Sequence, residues 1–253
     1  MIKLKEYEVS PSTDKNDADE AIKDLQERLF IAFRKLYQQK YSAIVLIEGW
    51  AGAGKGDLIQ NITMRLDPRK IRVFSYVNDD YAYDGYHFLK KFWNRLPGYG
   101  ESVIFNGSWY GRVCYESFNK KIDHVEYNSS FRSILNLERN LTDDKYFIFK
   151  YFLNISKQEQ SKILQKAKKF GLKWMVSKDD KVQSKYYNKY KDLIEIYLNQ
   201  TNTEVCPWSI VPAKNRNYSK IFVMESIIQR LEQELKIDTK KLLNFIKREE
   251  TES

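Results

Sequence analysis

The sequence predicts an α/β fold, a parallel sheet with helices on both faces and a helical lid. Three observations predict it. Residues 42–48 form a continuous apolar run, Ser42-Ala43-Ile44-Val45-Leu46-Ile47-Glu48, that ends directly in glycine, as a strand buried on both faces does. Apolar runs of strand length then alternate along the chain with segments of helical periodicity, and strands separated by helices pair in parallel through right-handed crossovers. Across 156–199 the alternation gives way to a helical stretch with no strand signal, the pattern of a lid inserted beside a parallel sheet.

Taken in order, residues 1–16 lack periodicity and are expected to form an arm. An amphipathic helix follows over 18–40, where Ala21, Ile22, Leu25, Leu29, Ala32, Phe33 and Leu36 recur at three- and four-residue intervals and Asn16 or Asp17 is available as the cap. After the strand at 42–48 a helix should start near Lys55. The alternation continues with a strand at 71–77, a helix at 83–96, a strand at 102–105, a helix at 124–141 and a strand at 146–155. Ser156 is placed to cap the lysine-rich helix behind it. A last strand is expected at 208–211, then a long amphipathic helix at 218–235 whose Phe222, Ile227, Ile228 and Leu231 suit a core or an interface equally. With 253 residues, the chain falls within the range of one large α/β domain, so a single domain is expected over 1–253.

Composition narrows the function classes. The formal net charge of +9 points to an anionic partner, because a basic surface concentrates polyanions and speeds their capture. The charge is uneven: 14–27 is acid-rich, whereas 157–191 carries Lys162, Lys166, Lys168, Lys169, Lys173, Lys178 and Lys181. Two cysteines, Cys114 and Cys206, support neither a disulfide framework nor a zinc site and read as free thiols. No apolar run reaches the roughly 18 residues needed to span a bilayer, and the first residues lack the apolar centre of a secretory signal. A cytoplasmic protein is expected, with neither membrane nor nucleic acid as a partner.

The motif with chemical content is Gly49-Trp50-Ala51-Gly52-Ala53-Gly54-Lys55-Gly56, lying between the buried strand and the helix that starts near Lys55. Glycines there let several backbone N–H groups point at one anion, the helix N-terminus adds partial positive charge, and the lysine reaches outer phosphates. The phosphate-binding positions are therefore Gly49, Gly52, Ala53, Gly54, Lys55, Gly56 and Asp57. Gly56 stands where Ser or Thr ligates magnesium in the general form of such a loop. Arg112, seven residues past a strand, is placed at the C-terminal rim of the sheet, where ligands of open α/β sheets bind, and its forked donors suit phosphate. A surface salt bridge is its structural alternative. His87 is expected to be structural, and Trp93, Trp109, Trp174 and Trp208 to fill the core or pocket walls.

The pattern resembles the family-2 polyphosphate kinases, whose loop reads Glu-Gly-x-Asp-x-x-Gly-Lys-Gly and appears here as Glu48 to Gly56. Further matches run in order: Leu66-Asp67-Pro68-Arg69, His87-Phe88-Leu89, Phe92-Trp93, Leu96-Pro97, Ser108-Trp109-Tyr110-Gly111-Arg112, Phe152-Leu153-Asn154-Ile155-Ser156-Lys157 with Glu159-Gln160, Pro207-Trp208, and Pro212-Ala213 with Arg216 and Tyr218. Glu48-Gly49-Trp50 and Trp109-Tyr110-Gly111-Arg112 look nearest to the halves of the tandem-domain AMP phosphotransferases. The resemblance implies a P-loop kinase-like fold and magnesium-assisted, reversible phosphoryl transfer between inorganic polyphosphate and AMP or ADP, with guanine nucleotides as further candidates. It implies catalytic roles for Lys55 and Arg112, a polyphosphate path along the lid residues Lys168, Lys169 and Lys173 with Arg216, and a homo-oligomer. A solvated helix face is the alternative for each lid lysine.

Two departures bear on activity. The loop aspartate expected at position 51 is Ala51, and the Phe-Asp-Arg-Ser expected after the second strand reads Phe105-Asn106-Gly107-Ser108. Magnesium favours anionic oxygen ligands, so Asn106 is a weak metal candidate, with Asp57, Asp79 or Asp80 as substitutes. Two function classes stay open: a polyphosphate-dependent nucleotide kinase with altered metal binding, and a regulatory pseudoenzyme that keeps the fold and an anion site. An ATP-dependent nucleotide kinase fits less well, since the Lys-Ser/Thr pair is absent.

Overall fold

The computed structural model describes residues 1–76, 85–171 and 176–252, with side chains to Glu249. A 3-10 turn at Leu4–Tyr7 precedes α1 (Lys15–Gln38), β1 (Ser42–Gly49), α2 (Lys55–Thr63) and β2 (Ile71–Ser75). Then come α3 (Lys90–Trp93), β3 (Ser102–Asn106), α4 (Trp109–Phe118), α5 (His124–Thr142) and β4 (Tyr146–Asn154). The remaining elements are α6 (Lys157–Lys169), α7 (Lys178–Lys185), α8 (Tyr187–Gln200), β5 (Trp208–Pro212), α9 (Arg216–Leu235) and α10 (Thr239–Glu252).

The strands form one parallel sheet in the order β2-β3-β1-β4-β5. β1 takes the centre because Ala43, Ile44, Val45, Leu46 and Ile47 are all completely buried, so both of its faces need cover. The helices supply it in two groups: α1, α2, α9 and α10 pack together, as do α4, α5 and α8. In register, Ile47 lies opposite Asn106 of β3 and Gly49 opposite Leu153 of β4. The C-terminal ends of the three central strands therefore open onto the same place as the loop after β1.

Several expectations need correction. The cap of α1 is Asp14, whose carboxylate accepts from the Asn16 amide at 2.8 Å, rather than Asn16 or Asp17. The expected N-terminal arm is docked: Leu4 is 1% exposed and its amide donates to Glu195 of α8. The helix expected over 83–96 is the short α3 among the described residues; Tyr83 lies outside them. Two helices were not expected. α4 follows directly on its Ser108 cap and buries Trp109, Tyr110, Val113 and Cys114, and α10 packs on α1. Of the expected lid, only α6 and α7 lie over the loop, because Tyr187, Tyr190, Ile194, Tyr197 and Leu198 build α8 into the core. Ile227, Ile228 and Leu231 belong to that core too, with Phe222 packed partly buried against it. Trp109 and Trp208 are buried as expected, whereas Trp93 is 55% exposed; Trp174 lies outside the described residues.

Candidate active site

β1 delivers the chain to the loop with Glu48, whose carboxylate is buried. Its Oε1 accepts from the Ser108 amide at 2.7 Å, the Ser108 hydroxyl at 2.7 Å and the Gly111 amide at 3.1 Å. Glu48 thus caps the N-terminus of α4, where a negative group is favoured by the unsatisfied amides. Burial pushes its carboxyl above the usual range, opposed by the Ser108 donors, by Lys55 and by the Gly111 amide. Gly49 follows with φ +145°, and a Cβ there would lie 2.5 Å from the Leu153 carbonyl oxygen, so only glycine lets the loop leave the sheet this closely. Gly54, in the left-handed region at φ +90°, caps α2.

Lys55 opens α2. Its Nζ donates to the carbonyls of Gly49 at 3.0 Å and Trp50 at 3.3 Å, so the cation is folded back across the mouth of its own loop. Burial pushes its pKa down, opposed by Glu48 and Asp180 and reinforced by Arg216. Arg216, the first residue of α9, reaches the other side of the loop and donates through Nη2 to the Gly52 carbonyl, while Nη1 is buried without a partner. Burial lowers its pKa, although Asp57 and Glu159 favour the charge. A polyanion at this loop would meet two cations that, among the described residues, are hydrogen-bonded to carbonyl oxygens of the loop.

The loop amides are partly engaged from above. Ala51 donates to Gln183 Oε1 of α7 at 2.7 Å. Gln160 of α6 donates through Nε2 to Gln183 Oε1 at 3.2 Å and to the Ala51 carbonyl at 3.4 Å. Beside the loop lies a cavity of about 340 Å³, walled by Glu48, Lys55, Asn106 and Gly107 on the sheet side and by Tyr115, Gln183 and Tyr190 opposite.

The expected site residues do not all converge. Gly49, Gly52, Ala53, Gly54, Lys55 and Gly56 form the loop and the first turn of α2, and Arg216 joins them. Asp57 instead turns outward, pairing with Lys220 of α9 at 3.0 Å. Arg112 is held by Glu116 one turn along α4, with Nη2 at 2.6 Å from the carboxylate and Nε buried without a partner. Lys168 and Lys169 are exposed at the end of α6. Lys173, Asp79 and Asp80 lie outside the described residues. Trp50, Asn154 and Gln160 stand among the matched motifs without an assigned role, and Gln183 is not among them; the two glutamines reach the loop through contacts that no local pattern announces.

The donor set around the cavity bears on magnesium. Asn106 donates to Ser75 Oγ at 3.2 Å, leaving its buried Oδ1 without a partner beside the cavity. Around it, Glu48 is spent on α4, Asp57 is paired outside, and position 51 offers only backbone taken by the glutamines. Of the two α7 carboxylates that line the cavity, Asp179 and Asp180, the second accepts from the Ser177 amide at 2.8 Å. Among the described residues no cluster of three metal-ligating side chains exists. They do not fit a magnesium ion held by the protein, which favours one or two carboxylates beside phosphate oxygens.

The family model for Polyphosphate kinase 2 matches residues 12–239. The chain is 30% identical over 229 residues to a polyphosphate:AMP phosphotransferase of Pseudomonas aeruginosa, covering 89% of this chain and 46% of the relative. It is 26% identical over 239 residues to a polyphosphate:AMP phosphotransferase of Pseudomonas syringae pv. tomato, covering 94% of this chain and 48% of the relative. The chain thus spans about half the length of these two relatives. The crystal structure of Polyphosphate Kinase 2 from Arthrobacter aurescens TC1 superposes with a TM-score of 0.84 at 25% identity, over 90% of this chain and 82% of that one. No helix among the described residues is long and apolar enough to cross a membrane.

Proposed function

The chain belongs to the polyphosphate kinase 2 family, and from that premise we propose that it transfers a phosphoryl group between inorganic polyphosphate and a nucleoside mono- or diphosphate. The observation that carries this is the convergence of Lys55 and Arg216 on one glycine-rich loop at the end of the central strand, each hydrogen-bonded to loop carbonyls. Phosphoryl transfer asks a protein mainly to align two anions and to neutralise charge on the moving group. Lys55 would exchange its carbonyl partners for phosphate oxygens, the loop amides would hold the same group, and Arg216 would add its unpartnered Nη1. Arg112, once released from Glu116, would add a further cation from α4. Lys168, Lys169 and Lys173 would guide the length of the polyphosphate chain.

AMP and ADP are the expected acceptors, in keeping with the names of the relatives, and a guanine nucleotide is a third candidate because one relative is named a GDP-polyphosphate phosphotransferase. Since the described residues do not fit a protein-held magnesium ion, no step is assigned to one. The test is direct: purified protein is incubated with tripolyphosphate and AMP, ADP or GDP, and the nucleotide products are separated by chromatography. A product one phosphate longer, lost in Lys55→Ala, is expected. Binding of tripolyphosphate without any product would replace the phosphotransferase with a regulatory anion-binding copy of the same fold.

A further inference from the structure

Trp50, the second loop residue, is completely buried, and everything that holds its side chain lies outside the loop. Its indole stacks on Tyr187 of α8, with centroids 4.0 Å apart and planes 17° from parallel. Its Nε1 donates to Asn154 Oδ1 at 2.9 Å. Asn154, at the end of β4 and also fully buried, uses both remaining donors on the N-terminal segment: Nδ2 reaches the Leu4 carbonyl at 2.8 Å and the Tyr7 carbonyl at 3.1 Å. That segment is clamped in turn on α8. The Ile2 amide donates to Asn199 Oδ1 at 2.6 Å, Asn199 Nδ2 returns a bond to the Ile2 carbonyl at 2.9 Å, and the Leu4 amide donates to Glu195 at 2.9 Å.

The backbone around Trp50 is where the anion-binding geometry is set. The Trp50 carbonyl accepts from the Ala53 amide at 3.0 Å and from Lys55 Nζ at 3.3 Å, and the next amide, Ala51, is the one that Gln183 engages. A side chain fixed at position 50 therefore fixes the peptide planes on either side of it. A buried amide with its acceptor and both donors used has one permitted orientation, and the loss of any partner leaves a buried polar group unsatisfied.

We propose that Asn154 is a positioning residue for the phosphate loop, and that through it residues 2–7 set the loop's affinity for phosphate without touching the ligand. This deepens the function proposed above and rests on it. Three variants separate the links. Trp50→Phe keeps an aromatic ring against Tyr187 and removes the N–H together with the volume of the pyrrole ring, a loss of volume that the control below shares. Asn154→Asp keeps an acceptor for Trp50 and removes the donors to Leu4 and Tyr7; Asn199→Ala frees residue 2 at a distance from the loop. Trp208→Phe is the control, since it removes an equally buried indole bond, to Thr201 at 3.0 Å, in another part of the core.

Tripolyphosphate binding is measured by calorimetry alongside thermal unfolding and hydrogen exchange of the amides of 51–55. Each of the three variants is expected to bind about three- to tenfold more weakly, the range expected for one neutral hydrogen bond, and to exchange faster at 51–55. Trp208→Phe is expected to lower the melting temperature without either effect. Unchanged affinity and exchange in folded Asn199→Ala and Trp50→Phe would overturn the proposal and leave Asn154 a core residue. If Asn154→Asp fails to fold, those two variants still decide. If wild-type protein does not bind tripolyphosphate, the function proposed above fails, and unchanged loop exchange in Asn199→Ala separately overturns the coupling.

Discussion

Gln183 Oε1 lies 2.7 Å from the Ala51 amide, so a side chain of α7 occupies a donor of the phosphate loop. Gln160 completes the contact by donating to that same oxygen and to the Ala51 carbonyl. The family's loop aspartate would stand at this position, where the two glutamines hold the backbone of Ala51 through its amide and its carbonyl.

Gln183 and a phosphate oxygen compete for one N–H. Gln183→Leu keeps most of the volume and removes the competitor, so tripolyphosphate is expected to bind about three- to tenfold more tightly. Calorimetry at constant ionic strength measures this. Weaker binding in the variant would mean that Gln183 itself contacts the anion.

Lys55→Met is expected to weaken tripolyphosphate binding roughly 10- to 100-fold, the range for a hydrogen bond to a charged group. It should also stabilise the free protein at neutral pH, because burial holds the lysine pKa below its ordinary value. The sign follows from proton counting. Between the lowered folded-state pKa and the unfolded value near about 10.4, the unfolded chain binds more protons, so this group's contribution to stability rises with pH. The penalty is fully present below that window. Denaturant unfolding should therefore show the advantage of Lys55→Met shrinking as pH approaches about 10. An advantage independent of pH would show that the ammonium is not desolvated.

Asn106 keeps a buried, unpartnered Oδ1 beside the cavity. Wild-type protein is expected to give no magnesium isotherm in the absence of phosphate, since among the described residues no three metal-ligating side chains cluster, although Asp179 and Asp180 also line the cavity. Asn106→Asp converts the orphaned oxygen into an anionic ligand and should create measurable binding of magnesium alone. Tight magnesium binding by the wild type would point to Asp79 or Asp80, or to Asp179 and Asp180 of the cavity wall, and replacing each by Asn would identify which one holds the ion.

Outside the loop, Lys150 and Glu138 form an ion pair of 2.8 Å that is sealed from solvent. Lys150 also donates to the Thr201 carbonyl at 2.8 Å, and Glu138 accepts from Tyr110 at 2.7 Å. Lys150→Met should cost about 3–5 kcal/mol by stranding the carboxylate, whereas Lys150→Met with Glu138→Leu should recover much of that loss. Urea unfolding distinguishes the two. A double variant no more stable than the single would show that packing around the pair, rather than its charge, dominates.

Much of the fold was legible because its signals are local. The run from Ala43 to Ile47 reads as a doubly covered strand, and these residues are completely buried at the centre of the sheet. Ser156 reads as a cap and accepts from the Glu159 amide at 3.2 Å. The glycines and Lys55 mark a loop because their backbone demands are met within a few residues. α4 was missed although its buried Trp109, Tyr110, Val113 and Cys114 recur at helical spacing, because the stripe is short, four residues in a helix of 10.

What the sequence determined by itself is thus the alternation of elements, the central strand and the place of the anion loop. Only the tertiary structure decided what the loop meets: Gln183, 132 residues from Ala51; Asn154, 104 residues from Trp50; and Arg216, 164 residues from Gly52. It also decided that Arg112 pairs with Glu116 and that Asp57 turns to Lys220. The physical reason is range. Periodicity, caps and glycine conformations are set by interactions within a turn or two of the chain. The partners of a buried amide or guanidinium are set by which strands lie side by side and which helices cover them.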